Sequence, residues 1–220
     1  MCGRFLINEE ALDAASSFAK LPAWEQLTLH LGMIYPSQES LVLKNTPSGI
    51  TGELLPFGVQ PEFLKQRLIN ARAETVFSKP MFRRAVKNDR CVVVCCGFYE
   101  WDADKTMIYF NESQTPALYL AGLILDDGFV ILTTAANASM APFHHRMPLI
   151  LNQEQAMAWM TEPEQAQNLT KLVPGTESFC CKKTEHSVLK ADSFVLTDSL
   201  RISVIFLRVA DFEMAFRLFL

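Results

Sequence analysis

The sequence predicts an α+β fold with a largely antiparallel sheet. Strand-like runs follow one another through the middle of the chain, helix-like segments lie at the edges of this region, and eleven prolines favour short elements. Half of the 220 residues are hydrophobic and a fifth are charged, which is enough apolar material for a real core. We therefore expect one sizeable domain, or at most two small ones.

Near the N-terminus, Asn8 followed by two glutamates predicts the start of a helix whose body runs over residues 11–19. A short strand is predicted over Leu41–Leu43. Four longer strand-like runs follow, and the Asp127-Gly128 pair between the last two predicts a hairpin turn. These runs are Cys91–Cys96, Thr106–Phe110, Ala117–Leu125 and Phe129–Thr134.

Two helices are predicted after the last strand. Asn152 is suited to cap a helix that runs to Met160. A second helix is predicted to open at residues 161–164, where Thr161 and Glu164 have capping-box spacing around Pro163.

The formal net charge of −4 argues weakly against a nucleic-acid partner. One segment, residues 70–90, nevertheless holds six basic residues against two acidic ones, a balance of +4 over 21 residues. Screening limits each charge to about 10 Å, so such a patch acts locally and suits phosphates. The alternative is a solvated basic face without a partner. The basic residues are Arg72, Lys79, Arg83, Arg84, Lys87 and Arg90.

The six cysteines contain no paired C-x-x-C arrangement, so we expect no zinc site, no other metal and no cofactor. No basic stretch followed by an apolar run begins the chain, which predicts no signal peptide. The longest fully apolar run near the C-terminus is too short for a bilayer. We expect a cytoplasmic protein with reduced thiols and no membrane partner.

Cys2 has the most distinctive chemistry in the sequence. Cysteine is small enough for initiator methionine to be removed ahead of it, which would leave an α-amine beside the thiol. Such a 1,2-aminothiol reacts with an aldehyde first as a Schiff base and then as a five-membered thiazolidine ring. Reference pKa values of about 7.7–8.0 for the amine and about 8.5 for the thiol make both partly nucleophilic near neutral pH. The alternative is that Cys2 is incidental.

The segment N-A-R-A-E-T, residues 70–75, alternates polar and small residues. If it is extended, Asn70, Arg72 and Glu74 share one face and form a hydrogen-bonding platform, with Arg72 suited to a phosphate. The alternative is a surface salt bridge between Arg72 and Glu74.

Two further motifs carry titratable groups. Glu100 lies between Tyr99 and Trp101 at the end of a predicted strand, where desolvation would raise its pKa and suit it to proton transfer. His144 and His145 could exchange protons near neutral pH, and on a strand only one of them would reach a given site. The alternatives are an ordinary turn glutamate and a loop histidine without a catalytic role.

Taken in order, five motifs resemble the SOS response-associated peptidase (SRAP) family over about residues 1–160. The motifs are M-C-G-R, N-A-R-A-E-T, G-F-Y-E-W, T-T-x-A-N and H-H-R-M-P. Two weaker similarities are Y-P-S-Q at residues 35–38 and F-G-V-Q-P-E-F at residues 57–63. The second segment resembles the family's W-G-L-I-P-x-W stretch with both tryptophans replaced by phenylalanine. The resemblance implies a single domain over residues 1–220 around a barrel-like sheet. From about Ser187 the chain departs from the family's ending.

The resemblance also implies a function. It implies a monomer that binds single-stranded DNA in the SOS response to damage, releases its own Met1 and traps abasic sites at Cys2. In that scheme Asn70 orients the α-amine, Glu100 moves protons, and His144 rather than His145 helps to open the sugar. The DNA would be held by Arg4, Phe57, Arg72, Thr133 and Arg146, with Phe57 stacking against or wedging beside a base.

Two other functions stay open from the residues alone. One is a cysteine-type peptidase that acts on other proteins through Cys2, Glu100 and His144. The other is a single-stranded DNA-binding module without catalysis, in which the basic residues supply the affinity.

Overall fold

The computed structural model describes residues 2–22, 31–112, 115–175 and 179–183. Residues Met1–Thr184 belong to one compact unit. Residues 184–220 lie outside the described residues. The predicted departure from the family after about Ser187 also lies outside them, and the single-domain expectation for residues 1–220 stays a prediction.

Thirteen strands and five α-helices are described. The strands are β1 Arg4–Ile7, β2 Gly32–Ile34, β3 Glu39–Thr46, β4 Gly49–Pro56, β5 Asn70–Arg72, β6 Arg90–Cys95, β7 Gly97–Trp101, β8 Met107–Glu112, β9 Leu118–Leu125, β10 Gly128–Ala135, β11 Arg146–Pro148, β12 Ile150–Leu151 and β13 Phe179–Lys183. The helices are α1 Glu9–Ser16, α2 Pro80–Arg83, α3 Ala85–Asn88, α4 Gln153–Thr161 and α5 Pro163–Leu169, and a 3-10 helix covers Ala73–Thr75.

The strands form two sheets. One has five strands in the order β13-β8-β7-β1-β2, and the other has the path β11-β10-β9-β6-β3-β4 with β12 on β9 and β5 on β10. Every described strand pair is antiparallel except β5 with β10. The predicted α+β class with a largely antiparallel sheet is therefore confirmed. The pairings among the described strands close no barrel, so the barrel-like shape stays a prediction.

The predicted strands are present with adjusted limits. The four strand-like runs correspond to β6, β8, β9 and β10, and the short strand predicted over residues 41–43 is the middle of the longer β3. The hairpin between β9 and β10 turns at Asp126 and Asp127, one residue earlier than predicted, because Leu125 pairs with Gly128. Asp126 adopts the left-handed φ of 42° that this tight turn requires.

Helix caps explain where the helices begin. Asn8 accepts a hydrogen bond from the Ala11 backbone N–H at 3.0 Å, as expected for α1, although the helix ends at Ser16. Asn152 forms a reciprocal capping box with Gln155 at the start of α4. The capping box predicted for Thr161 is wrong. Its hydroxyl donates to the Met157 carbonyl within α4, and Glu162 is the N-cap residue of α5.

Part of the core lies between the central strands and α4. Every residue of β6 is buried, and Trp159 of α4 packs over that strand with its indole N–H donating to the Cys91 carbonyl at 2.9 Å. Arg90 is also buried, and its guanidinium donates to backbone carbonyls at the ends of α3 and α4. This arginine of the basic segment therefore faces inward, which corrects its predicted place in a phosphate-facing patch.

Candidate active site and nucleic-acid interface

Strand pairing brings three of the predicted site residues together although they are far apart in sequence. Cys2 precedes β1, which pairs with β7, the strand that carries Glu100. Asn70 begins β5, and its side chain contacts the backbone of Cys2. The buried trio Cys2, Asn70 and Glu100 is called the Cys2 cluster below.

Cys2 is fully buried. Its carbonyl accepts a hydrogen bond from Asn70 Nδ2 at 3.3 Å, and its Sγ lies 3.8 Å from the Arg4 carbonyl oxygen. Burial is the main reason why the pKa of the thiol is raised, and the negative charge of Glu100 adds to the effect. In this environment Cys2 is a neutral thiol at physiological pH.

Asn70 bridges two elements through its side-chain amide. Nδ2 donates to the Cys2 carbonyl and to the Ile131 carbonyl, the latter at 3.4 Å. Oδ1 is buried and has no hydrogen-bond partner among the described residues. A buried carbonyl oxygen of this kind is suited to accept a hydrogen bond from an amine placed beside Cys2.

Glu100 is only 2% exposed and lies within β7 rather than in a turn. Burial raises the pKa of its carboxyl, and nearby positive charge, including that of His144, acts in the opposite direction. The predicted desolvation is confirmed. A carboxyl with a raised pKa exchanges protons more readily near neutral pH than an exposed glutamate does.

His144 and His145 precede β11 and do not lie on a strand. The strand geometry that would send these side chains to opposite faces is therefore absent, and their rings stack with centroids 4.5 Å apart. Nδ1 of His144 lies 2.9 Å from the Arg146 carbonyl oxygen and 3.0 Å from its backbone nitrogen, which orients the ring. Of the two histidines, His144 is the one whose charge lowers the pKa of Glu100, whereas His145 is exposed.

Arg146 is held inside the protein by a carboxylate. It donates to both oxygens of Glu74, at 2.6 and 2.9 Å, and also to the carbonyl and hydroxyl oxygens of Thr133. This pairing lowers the pKa of Glu74. Thr133 is fully buried and Arg146 is only 9% exposed. Their contacts with DNA stay predictions. The predicted Arg72–Glu74 salt bridge is replaced by this pair, called the Glu74–Arg146 bridge below.

The platform predicted for N-A-R-A-E-T does not form as an extended face. Strand β5 ends at Arg72 and a 3-10 helix follows, which breaks the alternation. Asn70 faces inward, whereas Arg72 and Glu74 are exposed. Arg72 therefore remains available to a phosphate.

Phe57 is fully buried and packs against Phe5 and Phe129, with ring centroids 5.3 Å away in both cases. Its ring is not accessible in this arrangement, and its contact with a DNA base stays a prediction. The other end of the same motif is different, because Phe63 is 76% exposed. Phe63 is not among the site residues predicted from the sequence, although it occupies the second tryptophan position of the W-G-L-I-P-x-W pattern.

The exposed cations lie on and before α2 and α3. Lys79, Arg83, Arg84 and Lys87 are exposed, and Arg84 lies 3.6 Å from Asp89. Arg4 is half-buried at the start of β1, between the rings of Tyr35 and Trp101. The four cations of the basic segment on and before α2 and α3 are therefore exposed, in contrast to Arg90.

Among the residues that the structure describes, no group of three or more His, Cys, Asp or Glu side chains is arranged to hold a metal ion. None of the described helices is long and apolar enough to cross a membrane.

Comparisons with known proteins agree with the motifs. The family described as SOS response associated peptidase (SRAP) matches residues 1–191. The abasic site processing protein YoqW of Bacillus subtilis is 31% identical over 194 residues, which cover 77% of this chain and 86% of that protein. Escherichia coli YedK, another abasic site processing protein, is 26% identical over 74% of this chain and 80% of its own length.

A solved structure shares the fold. A protein from Bacteroides thetaiotaomicron superposes with a TM-score of 0.71 at 24% identity, over 86% of this chain and 94% of its own.

Proposed function

This chain belongs to the SOS response associated peptidase family, and from this premise we propose that it processes abasic sites in DNA by capturing them covalently at Cys2. The relatives named as abasic site processing proteins support the substrate. The observation that carries the proposal is the Cys2 cluster, in which Asn70 contacts Cys2 and the charge of Glu100 acts on its thiol.

The reaction that we propose starts with hydrolysis of the Met1–Cys2 peptide bond, which gives Cys2 a free α-amine. The amine adds to the aldehyde of the open abasic sugar, and loss of one water gives a Schiff base. The thiol of Cys2 then adds across the C=N bond, its sulfur to carbon and its proton to nitrogen. The product is a thiazolidine that links the protein to the strand.

The neighbours of Cys2 supply the proton transfers and the orientation in this scheme. The unpartnered Oδ1 of Asn70 accepts a hydrogen bond from the new α-amine, which turns the lone pair of the amine nitrogen towards the aldehyde carbon. Glu100, with its raised pKa, donates a proton as water leaves and accepts one from the thiol. His144, oriented by the Arg146 backbone, helps the sugar ring to open. Holding these groups together raises their effective concentration.

Single-stranded DNA is the proposed partner because an abasic nucleotide in a flexible strand is easily extended into a pocket. Arg72, Arg4 and the exposed cations of α2 and α3 offer charge to phosphates, and exposed Phe63 offers a ring to a base. The Glu74–Arg146 bridge links the start of β11 to the 3-10 helix. We further propose a cytoplasmic monomer that associates with the nucleoid through DNA.

The structure favours this function over a general cysteine peptidase. A peptidase of that type needs an accessible thiolate, whereas the Cys2 thiol is fully buried and its pKa is raised. The thiazolidine route uses the amine first and requires the thiol only after the aldehyde carbon has reached it.

The experiment that tests the proposal incubates purified protein with one oligonucleotide, either intact or with a single abasic site. We expect a denaturant-resistant adduct with the abasic strand alone. Cys2→Ala should abolish the stable product, because the ring cannot close without sulfur. Cys91→Ala is the matched control, since it removes another buried thiol that lies in β6. An equal yield of stable product from Cys2→Ala would reject the proposal.

A further inference from the structure

Arg4 lies between two aromatic rings that have no part in the chemistry above. The central carbon of its guanidinium is 4.6 Å from the ring centroid of Tyr35 and 4.8 Å from that of Trp101. Both distances are within the roughly 6 Å over which a ring face attracts a cation. We propose that Tyr35 is a positioning residue which, with Trp101, holds Arg4 as a pre-arranged binding group for a DNA phosphate.

The sheet explains why the two rings enclose this guanidinium. Strand β1 lies between β2 and β7. Arg4 pairs with Tyr99 in β7, so Trp101, two residues further along, is on the same face. On the other side, Phe5 pairs with the last residue of β2, so Tyr35 follows at the level of Arg4. The clamp is therefore built from strands on both sides of β1.

The backbone that carries Tyr35 is itself fixed by a turn. The Tyr35 N–H donates to Gln38 Oε1 at 2.8 Å, and the Gln38 N–H donates to the Tyr35 carbonyl at 3.1 Å. Ser37 has a left-handed φ of 78°, and its N–H donates to the Phe57 carbonyl at 2.8 Å. The ring of Tyr35 thus starts from an anchored position although the residue is 37% exposed.

The contacts with the two rings leave the in-plane N–H groups of Arg4 for a ligand. Guanidinium stacking uses the faces, whereas phosphate binding uses the edge, so both are possible at once. Among the described residues no carboxylate forms an ion pair with Arg4. The anion that the proposed substrate supplies is a phosphodiester, and Arg4 lies only two residues from Cys2. This step rests on the proposed function.

The test measures Kd for intact single-stranded DNA over a salt series, with Tyr35→Ala, Tyr35→Phe, Arg4→Ala and the double variant Tyr35→Ala/Arg4→Ala. We expect Tyr35→Ala to weaken binding about two- to fivefold and Tyr35→Phe to bind like the wild type, because it keeps the ring. Arg4→Ala should reduce the slope of log K against log salt by about 0.7, the value for one bound phosphate. Met157→Ala, which removes another exposed apolar side chain, is the control.

The double variant separates positioning from direct contact. If Tyr35 acts through Arg4, removing Tyr35 from the Arg4→Ala protein has no further effect. Additive losses, or unchanged binding by Tyr35→Ala, would overturn the proposal. The Arg4 Nε–H resonance, shifted by the rings in the wild type, should move towards a solvent-exposed position in Tyr35→Ala. A wild type without any affinity for single-stranded DNA would reject the proposed function and the phosphate role together, while the resonance would still show whether Tyr35 holds Arg4.

Discussion

The two glutamates of the candidate site lie in opposite environments. Glu100 in the Cys2 cluster is 2% exposed and its pKa is raised by burial, whereas Glu74 is exposed and its pKa is lowered by the guanidinium of Arg146. The first is suited to exchange protons, and the second is suited to keep a fixed negative charge. Because the two side chains are the same, their different roles follow from the partner and the burial of each carboxylate.

The largest effect is expected from Glu100→Gln. The amide has nearly the same shape but cannot donate and recover a proton, so we expect the rate of adduct formation to fall by about 10²–10⁴-fold, the usual range for a lost acid–base group. Single-turnover kinetics on abasic single-stranded DNA measure this rate. Glu74→Gln is the matched control, and a larger loss of rate in that variant would reverse the roles given to the two glutamates.

The same pair predicts opposite effects of pH on stability. A raised pKa means that folded Glu100 binds more protons than in the unfolded chain, so its contribution is present below the ordinary pKa and is lost as pH rises through the folded value. For Glu74 the pKa is lowered, so its contribution is present above the ordinary pKa and is lost as pH falls through the folded value.

Urea unfolding at acidic and neutral pH tests both signs. Relative to the wild type, Glu100→Gln should gain stability as pH rises, and Glu74→Gln should gain stability as pH falls. The same pH dependence in both variants would contradict the comparison.

The next effect in size is expected from removal of the Glu74 carboxylate. Glu74→Ala leaves the Arg146 guanidinium buried with Thr133 alone, and we expect the free energy of unfolding to fall by about 1–3 kcal/mol. Arg72→Ala should change it by no more than about 0.5 kcal/mol, because Arg72 is exposed. Denaturant titration measures both. Equal losses would show that the Glu74–Arg146 bridge has no structural role.

Asn70→Asp tests the hydrogen bonds that Asn70 makes beside Cys2, and the expected loss in free energy is comparable to that of Glu74→Ala. It removes the Nδ2 donor to the carbonyls of Cys2 and Ile131 and places a carboxyl beside their oxygens, so we expect adduct formation to slow by about 5- to 150-fold. Asn137→Asp is the control, since Asn137 donates to backbone carbonyls elsewhere. An unchanged rate in Asn70→Asp would show that the reaction does not need the hydrogen bonds that Nδ2 donates.

The smallest effect is expected on the basic face. Replacing Arg72 or Lys87 by glutamine should weaken binding to single-stranded DNA a fewfold and reduce its salt slope by about 0.7 for each phosphate that is no longer bound. Lys65→Gln is a control of the same charge change outside the basic segment. If the loss of affinity does not depend on salt, these residues affect binding by changing the folded structure and not by contacting phosphates.

Local signals in the sequence predicted the elements better than they predicted which cations face outward. The caps at Asn8 and Asn152 and the apolar runs of β6, β9 and β10 depend on neighbouring residues, so they could be recognised directly. Arg90 and Arg146 could not, because the carbonyls and the carboxylate that bind them come from distant segments.

In the candidate site, too, features set by neighbouring residues could be predicted, whereas features set by distant segments could not. The burial of Glu100 followed from its aromatic neighbours, and the motif order pointed to Cys2 and Asn70. The burial of Phe57 and the position of Tyr35 over Arg4 depend on strand pairing, which neither residue's local sequence specifies.

The most direct test of the account is the intact mass of the protein before and after incubation with an abasic oligonucleotide. We predict that the mature protein lacks the mass of one methionine, and that incubation adds the mass of the bound strand less one water at Cys2. A protein that keeps Met1 and gains no mass, or a Cys2→Ala variant that gains the same stable mass, would contradict the account.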